Sequence, residues 1–314
     1  MKLALIAVQL EVSDHIVRSP DVYRAHLERA AQAAIEAAGP ADERLVVFPE
    51  AAGHLALLSL APPSAHRAKS LAAALAASAV RRPLEVLRGI ATTRLLDHKH
   101  AVLAALAPDG ERFWRGVFGP LARRHGVHVV AGSHVRLGPS GDLTNASFLF
   151  APDGRLLATT EKVNLVPGLE DRAPKGLGLA RGAPERVPIV ETPAGRVCTL
   201  IGYDAFHTAL TASERFEAMP ERIVARGGAQ VIANPSARVG TWAVAEPRWQ
   251  REGLSSSLGR LARWGVTAHL VGRVLELAFE GASEILEARP GGVEVLARAA
   301  RPDREAHVVA TVTC

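Results

Sequence analysis

Val197-Cys198-Thr199-Leu200-Ile201-Gly202-Tyr203-Asp204 runs an apolar strand straight into a tight turn. A strand that stops at such a turn presents one side chain at the rim of a sheet, where chemistry is usually placed. The residue presented here is Gly202, which has no side chain. Working outward, residues 229–233 read as another buried strand, ending in the loop Asn234-Pro235-Ser236. Residues 45–48 form a third, stopped by Pro49 and followed at once by Glu50. In open α/β sheets ligands bind at the carboxyl ends of strands, so Glu50 is placed like a site residue. A lone Glu after a strand is otherwise a surface charge.

The rest of the chain reads as alternating helices and strands. Residues 3–10 are a buried first strand, and Ser19-Pro20-Asp21 opens a helix to about residue 38. Residues 54–107 are rich in Ala, Leu and Arg and broken by Pro62-Pro63 and Pro83, which predicts two or three helices. Of these, residues 70–80 are nearly all small or apolar, and 83–96 are amphipathic. Residues 113–125 predict a helix ended by Gly126, followed by a strand over 127–133. Residues 145–150 and 155–160 predict a hairpin about Pro152-Asp153-Gly154. Strands follow at 187–190 and 197–201, helices at 213–226 and 246–264, and strands at 266–271, 276–279, 285–288, 293–297 and 307–313. Helices outside and sheets inside make a layered α/β sandwich.

Composition narrows the functions. The 314 residues are 48% hydrophobic and 22% charged, as expected of a globular protein with a large core. The net charge of +5 is mostly arginine, with only five lysines among 37 basic residues. Arg and Glu are interspersed and aromatics are 4%, which argues against a nucleic-acid surface. Two cysteines, Cys198 and Cys314, exclude a disulfide framework and give no metal spacing. Cys198 reads as a buried small hydrophobe, and Cys314 as loosely held at the chain end. His98 and His100 flank Lys99, and alternate helix residues do not converge on one ion. No uncharged apolar run approaches membrane-spanning length, and Glu11 and Asp14 interrupt the first apolar stretch. A cytoplasmic protein is expected.

Three features line up in order: Phe48-Pro49-Glu50; Glu161-Lys162 with Asn164-Leu165-Val166-Pro167 and Glu170; and Ile201-Gly202-Tyr203-Asp204. Together they resemble the nitrilase superfamily of carbon–nitrogen hydrolases. The likeness runs from Leu5-Ile6-Ala7-Val8-Gln9 through residues 145–162 and Asn234-Pro235-Ser236 to Phe279-x-Gly281-x-Ser283. The resemblance implies an α/β fold built as a four-layer α-β-β-α sandwich, in a single domain over 1–314. Residues 54–107 would be a helical insertion, longer than the family usually carries there. It also implies a Glu-Lys-Cys triad. By position Glu50 matches the general base, Lys162 the triad lysine, and Glu170 a second carboxylate held near the lysine. Gly202 falls where the family has its nucleophilic cysteine, and the backbone N–H of Tyr203 matches an oxyanion donor. No cofactor or metal is implied. The expected partners are a small-molecule amide or carboxylate and a second copy of the chain, in a homodimer or larger homo-oligomer.

The chemistry of such a triad can be stated independently. Amide cleavage needs a strong nucleophile, a base for its proton, and positive charge where the carbonyl oxygen becomes anionic. A cation lowers a nearby thiol's pKa, and a carboxylate can shuttle its proton. Gly202 removes the covalent step. Cys198 lies four residues up the strand, about 13 Å away, and is no substitute. Asp204, His207 and Ser236 read as turn and capping residues. One expectation is therefore a hydrolase-type site without its nucleophile, either an introduced change or one in which Glu50 activates water. A second is an inactive binding protein. A third is a docking protein using residues 54–107.

Overall fold

The computed structural model describes residues 1–81, 83–93, 98–172 and 176–314. It is organised by β1 (Lys2–Ser13), which is buried on both faces. Along β1 a strand's alternation sends successive side chains to opposite sides. Ala4, Ile6 and Val8 pack under the helices α1 (Pro20–Ala38) and α5 (His98–His125), against Tyr23, Leu27, Trp114 and Phe118. Leu3, Leu5 and Ala7 face the other way, into a core shared with a second group of strands.

The first sheet joins β1 in parallel to β2 (Glu43–Val47), and β2 in parallel to β3 (His128–Val130). β5 (Leu143–Phe150) lies antiparallel to β3 and to β4 (His134–Leu137). β6 (Leu156–Glu161) pairs with β5. The second group runs β7 (Ile189–Thr192), β8 (Gly195–Thr199), β9 (Val231–Ser236), β10 (Trp264–Val274), β12 (Glu284–Arg289), β13 (Gly292–Arg298). β11 (Leu277–Phe279) folds back on β10, and β14 (Ala306–Thr313) lies antiparallel to β1. β10 also meets β1 at Leu10–Ser13 and so ties the two groups together. The outer face of β8 and β9 is covered by α6 (Met219–Ala225) and α8 (Leu254–Leu261), which follows α7 (Trp242–Glu252). Helices, sheet, sheet, helices: the chain is a four-layer α-β-β-α sandwich.

Several elements differ from the sequence expectation. The helix predicted over 213–226 is only Met219–Ala225, because Pro220 belongs in a first helical turn, where its missing N–H costs nothing. The single helix predicted over 246–264 is α7 and α8, broken at Gly253, and Trp264 already starts β10. A Cβ at Gly253 would lie 2.5 Å from the Trp249 carbonyl oxygen. The helix predicted from 113 begins at His98 and carries Pro108 and Pro120 inside it. Its burial between sheet and cavity overrides proline's preference for helix ends. The described residues of 54–107 form α2 (Ala52–Ser59), α3 (Leu71–Arg81), α4 (Pro83–Thr93) and the first turns of α5, where two or three helices were expected. The end of the amphipathic stretch, 94–96, lies outside the described residues. On α3 and α4, Val80, Leu84 and Leu87 are exposed. Cys314 is not loose: its N–H donates to the Met1 carbonyl at 3.0 Å. Among the described residues, no helix is long and apolar enough to cross a membrane.

Candidate active site

Four strand ends converge on one buried cluster. Glu50 follows β2, Lys162 follows β6, Gly202 follows β8 and Ala237 follows β9. The turn after β2 is held by two devices. Ala51 adopts φ 62° and donates its N–H to Ser133 Oγ at 3.0 Å. Gly132, at φ +52°, lets the next strand end approach, since a Cβ there would lie 2.1 Å from the Pro49 carbonyl oxygen. Glu50 is thereby aimed inward rather than left on the surface.

Lys162 Nζ donates to Glu50 Oε1 at 2.7 Å and to Glu170 Oε2 at 2.6 Å. All three side chains are buried, Lys162 to 1% exposure. Asn145 on β5 spans the same two acids, its Nδ2 donating to Glu50 Oε1 at 3.0 Å and to Glu170 Oε1 at 2.9 Å. Backbone donors complete the set: Val166 N–H to Glu170 Oε2 at 2.8 Å, and Ala237 N–H to Glu50 Oε2 at 3.2 Å. Buried ions are tolerated when they are paired and hydrogen-bonded in this way.

The electrostatics are asymmetric. Burial pushes Lys162 toward its neutral form, but Glu170 and Glu50 more than reverse that, so its pKa lies above the ordinary lysine value. Glu170 is destabilised by burial, yet Lys162 and its hydrogen bonds hold it below the usual carboxylate range. For Glu50 burial wins: its pKa is raised, with Lys162 pulling down and Glu170 pushing up. Of the two acids, Glu50 takes up a proton more readily.

Gly202 opens a short 3-10 turn, Gly202–Ala205, at φ +47°. A Cβ built there would lie 2.2 Å from Glu50 Oε2 and 3.0 Å from its Cδ. The Glu50 carboxylate therefore occupies the volume any side chain at 202 would enter. The Gly202 carbonyl accepts from Asn234 Nδ2 at 3.3 Å, and Asn234 Oδ1 accepts from Ser236 Oγ at 3.0 Å. Tyr203 is buried between Phe206 and Phe216 and donates its hydroxyl to Glu214 Oε1 at 2.8 Å. Its side chain thus points into packing, leaving only its backbone on the turn.

The remaining polar residues separate. Asp204 accepts from the Val163 and Asn164 N–H groups at 3.0 and 2.6 Å, clamping the turn to the segment after Lys162. Burial pushes its pKa up to about 7 against those donors. His207 pairs with Ser256 Oγ at 2.9 Å. Cys198 packs against α6 and α8 on the outer face of β8, and burial pushes its thiol up to about 12. It faces away from the cluster and is not a nucleophile for it. Among the described residues, no group of three or more His, Cys, Asp or Glu side chains is arranged to hold a metal ion.

A residue-matched profile decides the family: the carbon–nitrogen hydrolase profile matches residues 8–253. The chain belongs to the carbon–nitrogen hydrolase family. Solved structures with this fold include a carbon–nitrogen hydrolase from Helicobacter pylori G27, at TM-score 0.66 and 14% identity, covering 100% of this chain and 90% of that one. An amidase from Nesterenkonia sp. is similar at TM-score 0.59 and 19% identity over 99% and 90% of the two chains. A mutant of the Nesterenkonia sp. AN1 amidase, at TM-score 0.59 and 17% identity over 98% and 92%, carries acrylamide added to its active-site cysteine. At such identities the likeness is one of fold. No curated protein sequence matches.

Two site residues escaped the sequence reading. Asn145 sits at the start of a strand with no charge to mark it. His54, on α2, lines the cavity above the cluster, and its Nε2 is buried without a hydrogen bond. The Asn145 amide acts on the ring, yet Asn145 Oδ1 also makes no hydrogen bond. Burial lowers the His54 pKa to about 4 despite the pull of Glu170, so the imidazole is neutral at pH 7. A histidine followed by an apolar run carries no sequence signal for such a place.

Proposed function

We propose that this protein binds small amides in a carbon–nitrogen hydrolase site that has lost thiol chemistry. Gly202 stands for the cysteine nucleophile, Glu50 for the general base, Lys162 for the triad lysine and Glu170 for its second carboxylate. The Tyr203 backbone N–H takes the oxyanion position. The observation that carries this reading is the Glu50 carboxylate lying 2.2 Å from where a Cβ at 202 would sit. On this reading the carboxylate of Glu50, the acid that would serve a thiol, takes the place of the side chain. Losing a catalytic nucleophile costs on the order of 10⁶ in rate, leaving binding and polarisation by Lys162 and the turn N–H.

The test is ammonia release from a panel of aliphatic primary amides, beside calorimetric binding of the same amides. Binding without turnover is the expected result. Gly202→Cys alone is expected to leave turnover low, since the new thiol must displace Glu50 from Ala237 N–H and adopt a left-handed backbone. Ammonia release by the unaltered protein that Glu50→Gln abolishes would overturn the reading. Glu50, with its raised pKa, would then be activating water directly.

A further inference from the structure

The Glu50–Lys162–Glu170 cluster is the floor of a cavity of about 460 Å³. That lies within the roughly 300–1,000 Å³ of pockets that take drug-sized ligands. A site for acetamide-sized molecules needs far less. The walls are almost entirely aliphatic. α2 contributes Leu57 and Leu58, α3 contributes Leu75, and α5 contributes Leu103 and Leu106.

The other polar groups on the wall are engaged in the frame. Ser78 Oγ donates to the Ala74 carbonyl at 2.9 Å. Lys99 Nζ donates to the Gly176 carbonyl at 3.1 Å. Both carboxylate oxygens of Glu276 accept the Leu71 N–H, at 3.0 and 2.9 Å, which ties the first turn of α3 to the β10–β11 hairpin. Hydrogen-bonding capacity facing the cavity is therefore concentrated at the floor, where His54 Nε2 makes no hydrogen bond beside Glu50, Lys162 and Glu170.

We propose that the cavity takes a primary amide carrying an unbranched aliphatic chain, with the amide on the floor and the chain between α2, α3 and α5. This rests on the amide-binding reading above and deepens it to a substrate class. An anionic head is disfavoured because the floor already holds two carboxylates against one ammonium. A carboxylate head would add a third negative charge in a dry site, where like charges repel most. A neutral amide offers donors to the Glu50 and Glu170 carboxylates and an acceptor to Lys162 or the His54 ring, all of which line the cavity.

The experiment is calorimetric titration with butanamide, hexanamide, octanamide and decanamide, with decanoate and decanol as companions. Each buried methylene is worth about a fourfold gain in affinity. The expected result is a dissociation constant falling about fourfold per methylene across the series, with decanoate weaker than decanamide. In Leu75→Trp the indole occupies the chain's path, and the gain is expected to stop at the shorter amides. Leu103→Phe is the second variant should the first not fold, judged by its melting curve.

Amide affinity independent of chain length would overturn the inference and leave the amide reading standing. Binding of decanol with no binding of any amide would overturn the amide reading and, with it, the amide head of this inference, leaving only an apolar chain site. Decanoate binding more tightly than decanamide would overturn the neutral head. No binding of any of them overturns both.

Discussion

The floor and the walls of the cavity are built on opposite principles. On the floor, every charge is countered within 3 Å and Lys162, Glu50, Glu170 and Asn145 form one hydrogen-bonded unit. The walls are leucines from α2, α3 and α5 that border empty space on one side. The floor is rigid because a buried charge with no partner is very costly. The walls are tolerant because dispersion contacts are many, small and replaceable. For the amide proposed above, the difference divides recognition: head-group chemistry at the floor, size and shape at the walls.

The largest effect that would break this contrast is in the floor. Lys162→Met leaves Glu50 and Glu170 buried against each other without a counter-charge. Removing one partner of a buried pair costs about 3–5 kcal/mol. Urea unfolding should show that loss, and a cost below about 1 kcal/mol would mean the acids are readily neutralised or rehydrated.

A smaller effect sharpens the wall side. Leu5 is fully buried between the two sheets, whereas Leu75 borders the cavity. Leu5→Ala is expected to cost about 2–5 kcal/mol and Leu75→Ala under about 2, because the latter gives up fewer contacts. Equal costs would mean that the cavity wall is packed as tightly as the inter-sheet core.

The smallest effect lies at the seam. Burial lowers His54 to about 4, while an unfolded histidine binds its proton near 6.5. Between those values the unfolded chain holds more protons, so stability falls as pH drops from about 6.5 to about 4. His54→Leu removes this contribution. The drop in urea midpoint between pH 7 and pH 5 should be smaller in the variant than in the parent. An unchanged drop would assign the acid sensitivity to other groups, such as buried His269.

Much of the floor was legible in the sequence because its residues follow strands that read clearly. Phe48-Pro49-Glu50 and Ile201-Gly202 each mark a strand end by an abrupt change from apolar to turn residues, whereas Lys162 and Glu170 stood out through the likeness to the nitrilase superfamily. Asn145 was not legible, since its role exists only because β5 passes between two acids 25 and 95 residues away. His54 was hidden in the same way. The break at Gly253 and the late start of α6 were misread because helical periodicity continues through both, and only packing shows where the chain turns.

The amino-acid sequence by itself determined the layered α/β architecture, the order of strand ends, and a glycine where a side chain would be presented. Alternation along a strand and turn chemistry are local, so they can be read residue by residue. Tertiary structure alone decided that Glu50 fills the space above Gly202, that Asn145 joins the two acids, and that α2, α3 and α5 wall an apolar cavity over them. These depend on distances between residues far apart in the chain, which no local pattern encodes.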